Sequence, residues 1–208
     1  MIHDNGAGMF VGVQSTGSEI NGNVVYNNGW WAPDRTHGHG IYVENTTGIL
    51  ALKDNVVFNN FQLGFQERGQ SADTIGVYNE GNVAFNNGSP TSNTIRSLNI
   101  LIAANNGRVD GCTLTSSYTY SPNATAGTSV KIGEIGANNG SMTVTNNYFA
   151  GTQTFEANSW ATSLTVTGNT MVVNDAPNFT NTILAGTTIG AGVVSWNNNT
   201  YYKTSCCE

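Results

Sequence analysis

The sequence predicts an all-β chain whose parallel strands stack as a solenoid, with little or no helix. The first observation is a recurring unit of asparagine, hydrophobic residues and Asn-Asn. It reads Gly22-Asn23-Val24-Val25-Tyr26-Asn27-Asn28-Gly29, Asp54-Asn55-Val56-Val57-Phe58-Asn59-Asn60 and Gly81-Asn82-Val83-Ala84-Phe85-Asn86-Asn87-Gly88. Weaker copies read Asp110-Gly111-Cys112-Thr113-Leu114, Asn146-Asn147-Tyr148-Phe149, Gly168-Asn169-Thr170-Met171 and Asn198-Asn199-Thr200-Tyr201. Units recurring every 22 to 36 residues or so cannot bury their own apolar faces, so neighbours must stack; the chain holds about seven such coils. The second observation is composition: only 10% of residues are charged, while 30 of the 208 are asparagine. Val, Ile, Thr, Tyr and Phe suit a pleated, half-buried surface, and Asn and Gly supply the positive φ angles of tight turns. Third, no stretch repeats its apolar residues at the helical period.

Taken in order, Ile2-His3-Asp4-Asn5-Gly6 aligns with Val25-Tyr26-Asn27-Asn28-Gly29, so the chain opens in mid-repeat. Solenoids shield their ends with caps, and none precedes Ile2. This predicts a single domain over 1–208 cut from a longer protein at its N-terminal side, or self-association through the uncapped end. The opening residues do not read as a signal-type leader, which for a fragment says nothing about compartment. After each Asn-Asn turn comes a second strand: Gly8-Met9-Phe10-Val11-Gly12, Gly40-Ile41-Tyr42-Val43-Glu44 and Gly64-Phe65-Gln66-Glu67-Arg68. A period of two turns Met9, Ile41 and Phe65 inward and Phe10, Tyr42 and Gln66 outward, with Gly12, Glu44 and Arg68 following on the outer face. Neighbouring rungs lie about 4.8 Å apart, so Glu44 and Arg68 could meet as an exposed ion pair. The asparagine heading each copy is expected to form a ladder of side-chain amides, each bonding the next rung.

Regular coils are expected over 1–115 and less regular ones over 116–208. Ser116 to Thr128 reads as a long loop or irregular rung, and strands resume at Ser129–Ile132, Met142–Val144, Leu164–Val166 and Val193–Trp196. A net charge of −6 offers no basic stripe for nucleic acid and no long-range attraction for acidic polysaccharides or an anionic membrane. No apolar window is long enough to span a bilayer. Cys112 reads as a buried inert thiol, and Cys206 and Cys207 as residues of a frayed tail; three cysteines make no disulfide framework.

The repeats resemble those of right-handed parallel β-helix proteins of the pectate-lyase-like superfamily, over most of the chain. The segment from Asn27 to Asn45, with Gly29-Trp30-Trp31-Ala32-Pro33-Asp34-Arg35-Thr36-His37-Gly38-His39-Gly40-Ile41-Tyr42 at its heart, is similar to one in bacterial β-helix-repeat proteins. The resemblance implies coils of about three short strands, a secreted or cell-surface location and a polysaccharide partner.

An insertion lengthens the first full repeat and carries the densest chemistry. His37, His39, Arg35 and Asp34 are the candidate catalytic residues. Trp30, Trp31, Tyr42, Glu44, Gln66 and Arg68 are the candidate substrate-binding ones. Indole rings can stack on sugar faces, Arg35 can fork a carboxylate, and His39 can exchange protons near neutral pH. The structural alternative has the tryptophans capping an apolar groove, Asp34 pairing with Arg35, and the histidines bonding backbone in a Gly-rich turn.

Gly38-His39-Gly40 resembles the Gly-His-Gly element of polygalacturonase-type glycosidases. Those enzymes need several carboxylates before that histidine, and here Asp34 stands alone, so their activity is not carried over. Lyase chemistry needs a base and a cation or Ca²⁺; no cluster of three acidic residues marks a Ca²⁺ cage, so no cofactor is expected, with Ca²⁺ left as the one open alternative. The function expected from the resemblance is an extracellular protein acting on a polysaccharide, lyase or glycosidase-like, with a non-catalytic glycan-binding or structural shaft as the alternative. Ice binding by threonine arrays is disfavoured, because Thr143-Val144-Thr145 and Thr165-Val166-Thr167 do not read as an array in register along many rungs.

Overall fold

A computed structural model describes residues 1–13, 15–31, 36–69, 72–88, 98–121, 128–133, 138–174, 182–185 and 194–204. Every regular element among them is a strand. Three long parallel sheets carry the fold, and the chain visits them in turn. Sheet A takes Ile2–His3, Val24–Tyr26, Val56–Phe58, Val83–Phe85, Tyr118–Tyr120, Tyr148–Gly151, Thr170–Asn174 and Thr200–Thr204. Sheet B takes Met9–Val11, Ile41–Val43, Phe65–Gly69, Ile100–Ala104, Thr128–Ile132, Gln153–Ala157 and Thr182–Ala185. Sheet C takes Glu19–Asn21, Leu50–Lys53, Val77–Glu80, Cys112–Thr115, Asn139–Thr145, Trp160–Thr167 and Val194–Asn197. Each strand pairs with its counterpart one pass earlier and one pass later, which is a solenoid-like architecture.

Alternation along each strand fills the centre. Met9, Ile41, Phe65, Ile100, Val130 and Phe155 form one inward column of sheet B, and all from Ile41 onward are fully buried. Sheet A contributes Val25, Val57, Ala84 and Phe149, and sheet C contributes Leu52, Leu114, Val144 and Val166. The outer face of sheet A carries a run of stacked rings. His3 on Tyr26, Tyr26 on Phe58 and Phe58 on Phe85 lie 4.7, 5.0 and 4.9 Å apart. In-register parallel pairing brings identical positions within ring-stacking distance.

The Asn-Asn pair divides two tasks. The first residue of each pair bends the chain: Asn27, Asn59 and Asn86 all have φ between 52° and 54°. The second turns inward and joins a ladder. Asn28 donates its backbone N–H and its side-chain N–H to Asn60 Oδ1 at 3.1 and 3.0 Å, and Asn60 repeats both bonds to Asn87. Asn87 then bonds Asn99, which stands where Gly8, Gly40 and Gly64 stand in earlier passes. The expected ladder at the head of the repeat is also present, at the corner leading into sheet A. Asn23 bonds Asn55, Asn55 bonds Asn82, Asn147 bonds Asn169 and Asn169 bonds Asn199 in the same double pattern.

Two expectations need correction. Cys112-Thr113-Leu114 is not a copy of the asparagine unit, because it pairs with Tyr78–Glu80 in sheet C. The true copy is Ser117-Tyr118-Thr119-Tyr120, inside the stretch expected to be a loop; it pairs with Val83–Phe85. Ser117 holds the ladder position, accepting from Asn82 N at 3.3 Å and donating its own N–H to Asn147 Oδ1 at 2.9 Å. Cys112 is buried as expected, and burial pushes its thiol up to about 12. Cys206 and Cys207 lie outside the described residues.

A buried carboxyl interrupts the core. Glu67 points inward between Val43 and Ile102, is fully buried, and receives one hydrogen bond, from Asn79 Nδ2 to its Oε2 at 3.0 Å. Its Oε1 has no hydrogen-bond partner among the described residues. Burial raises its pKa to about 8, and the Asn79 bond opposes this only in part.

Two outcomes follow. Asn82→Ala strips both acceptor bonds from Asn55 and the donor bond to Leu52 O, leaving buried groups unpaired; we expect a loss of about 3 kcal/mol in denaturant unfolding. Asn21→Ala, on an exposed side chain, should cost less than about 0.5 kcal/mol. For Glu67, the unfolded chain ionises near pH 4.5 while the folded one holds the proton to about 8. The folded state then binds more protons across that window, so stability falls as pH rises through it. Glu67→Gln should melt progressively higher than the wild type as pH is raised across this window; parallel melting curves would refute the assignment.

Candidate functional site

The insertion after Asn28 leaves the stack as a two-stranded antiparallel ribbon, Trp30–Trp31 against Thr36–His37. Its neck is closed by two glycines packed backbone to backbone. Gly29 has φ 113° and Gly38 φ 99°, and a Cβ added to Gly38 would sit 2.1 Å from Gly29 Cα. On either side of the neck the stack is continuous: Gly29 N–H bonds Asn5 O, Phe61 N–H bonds Asn28 O, and Gln62 N–H bonds Gly38 O. The ribbon is therefore inserted without disturbing the ladder of Asn28.

Trp30 and Trp31 are 49% and 51% exposed. Trp30 stacks on His37 with centroids 4.9 Å apart and planes 11° from parallel, and its ring reaches back to Gly6. Asp34 and Arg35 lie outside the described residues.

A second group forms on the adjoining outer face of sheet B. Phe10, Tyr42 and Gln66 share one outward column, as expected. Phe10 is 60% exposed and meets Tyr42 edge to face at 5.1 Å. His39 meets Tyr42 the same way, at 5.3 Å. The Tyr42 hydroxyl donates to Glu44 Oε1 at 2.7 Å and lies 3.2 Å from Arg68 O. Tyr42 thus holds the Glu44 carboxylate and ties it to the rung of Arg68.

The open face ends at the next rung. Leu101, which follows Gln66 in the column, is buried in a small cluster with Leu63, Leu98 and Ala103. Further on, Lys131 and Glu156 face each other at 3.0 Å with little exposure. The accessible surface is thus the ribbon together with the first three rungs of sheet B. Among the described residues, its outward positions carry one carboxylate, Glu44, because Glu67 points to the opposite side of the strand. No group of three metal-ligating side chains exists among the described residues, and no described helix is long and apolar enough to cross a membrane.

The structure brings Trp30 to His37, and His39, Tyr42, Glu44 and the Arg68 backbone together. Phe10 belongs to the same surface although it was not among the expected site residues; its place in the outward column is the signal that marks it.

Gly38→Ala forces a Cβ into Gly29 at a left-handed φ. We expect it to open the ribbon, raising acrylamide quenching of the indole fluorescence while far-ultraviolet circular dichroism keeps its β signature. Unchanged quenching would mean that the glycine neck does not position the indoles. Comparison of the chain with family models, curated proteins and solved structures found no match.

Proposed function

We propose that this chain belongs to an extracellular right-handed parallel β-helix protein that binds a polysaccharide through the Trp30–Trp31 ribbon and the adjoining face of sheet B. One observation carries the reading: two adjacent indoles are held half-exposed on a ribbon with a closely packed glycine neck. Large apolar rings left in water at one spot mark a recognition surface rather than a core. Sugar rings present flat C–H faces that suit indole and phenol rings, and Glu44, Gln66 and Arg68 lie alongside for hydroxyl groups. Phe10 and Tyr42 add an edge-to-face aromatic pair on sheet B.

Binding is the activity these residues support best. Hydrolysis would need two carboxyl groups flanking the bond, and elimination a base together with a cation for the sugar carboxylate. Glu44 is bonded by Tyr42. A cleavage role would draw on His37 and His39, with Asp34 or Arg35 supplying the second charge. A purely structural shaft is the competing reading, favoured by the continuous ladders of the stack.

The test is a panel of neutral and uronic-acid polysaccharides, followed by affinity electrophoresis, ultraviolet absorbance and new reducing ends. We expect retardation by at least one polysaccharide and at least a tenfold loss of affinity in Trp30→Ala/Trp31→Ala, a change of about 1.4 kcal/mol or more. Turnover that His39→Ala and Arg35→Ala abolish would extend the proposal to catalysis. Neither binding nor product across the panel would leave the shaft.

A further inference from the structure

The outer face of sheet C changes character along the stack. In its first three rungs the two outward columns hold Glu19, Ala51 and Tyr78, and Asn21, Lys53 and Glu80. Beyond them both columns turn to threonine. Thr113, Thr143 and Thr165 stand in one column and Thr115, Thr145 and Thr167 in the other, in unbroken register. Ser195 and Asn197 continue the two columns. The two units expected not to form an array along many rungs do align with each other, and Thr113-Leu114-Thr115 makes a third consecutive rung.

Parallel pairing spaces the rungs by about 4.8 Å, and the two threonines of one strand stand about 6.7 Å apart. β-Branching restricts χ1, so methyl and hydroxyl positions tend to repeat from rung to rung. All six side chains are half-buried in a face that carries no charge in these columns from Thr113 onward. The two columns differ in one respect. In the second, Thr145 Oγ1 donates to Thr115 Oγ1 at 3.1 Å, and Thr167 Oγ1 bonds Asn197 O at 2.9 Å. In the first, the hydroxyls of Thr113, Thr143 and Thr165 make no hydrogen bond to protein among the described residues. Water must satisfy those three groups, and a row of identical hydroxyls places its waters at the rung spacing.

We propose that this threonine array binds ice. The two spacings of the array lie near oxygen repeats of hexagonal ice, so waters held on it would approach a lattice arrangement before a crystal arrives. The array offers no ring face for a sugar and no charge for an ion, and it lies on a different sheet from the Trp30–Trp31 ribbon. Its test is therefore separate from that of polysaccharide binding.

The full chain is added to a polycrystalline ice film and to single crystals under a cold-stage microscope. The expected result is slowed recrystallisation and faceted growth, both lost in Thr143→Lys/Thr165→Lys and both kept in Trp30→Ala/Trp31→Ala. Circular dichroism reports whether the lysine variant is folded; if it is not, Thr143→Tyr alone serves, since it changes one outward position. Ice growth like that in an unrelated protein at equal concentration would overturn the proposal. So would an effect that survives the loss of Thr143 and Thr165. Retention on a crystalline polysaccharide that Thr143→Lys abolishes, without any effect on ice, would make the array a glycan surface instead.

Discussion

The buried amide of asparagine is the constraint on which this fold depends. A primary amide inside a core is tolerated only when its donors and acceptor are met. In the unbroken part of each ladder the oxygen is met by two N–H groups of the preceding pass and the amide N–H groups by the following pass and a backbone carbonyl, as at Asn55 and Asn60. Such a group is satisfied only when consecutive passes align in parallel and in register. Hydrophobic burial drives the strands together but would accept many offsets; the ladders accept one. A slip by a single residue would orphan the amides and turn the inward columns of Ile41, Phe65 and Ile100 outward.

The same constraint explains what could be read from the sequence. The head ladder, the alternation in Met9, Ile41 and Phe65, and the stacking of Ile2–Gly6 on Val25–Gly29 were legible because each uses a residue type that recurs at fixed spacing. Ser117 was not, since it keeps the position but not the amide, and the eye tracking asparagine passes to Asp110 instead. The second asparagine ladder was hidden because the Asn-Asn pair has one signature for two roles, a left-handed turn and a buried bond. Glu67 looks from sequence like any polar residue on a strand; only its column, Val43 and Ile102, shows it to be internal.

An insertion of Trp, His and Gly between regular units stands out against a repetitive background, and Trp30 and Trp31 within it are half-exposed. The partnership of Tyr42 with Glu44 follows from period two, since both lie on one face of one strand. What composition could not supply was how far the open face extends, because Leu101 occupies an outward position yet is covered. Nor could it align the threonines, since the passes differ in length by several residues and register emerges only once the corners are built.

The glycine neck at Gly29 and Gly38 brings the chain back to the corner it left. Residues between the two glycines therefore do not count toward the period of the stack, and every ladder closes regardless of what the ribbon contains. The ladders and the ribbon thus occupy separate stretches of chain. Evolution can lengthen, shorten or exchange such a ribbon without renegotiating a single rung, so one framework can acquire new surfaces at the rate that loops change rather than at the rate that cores do.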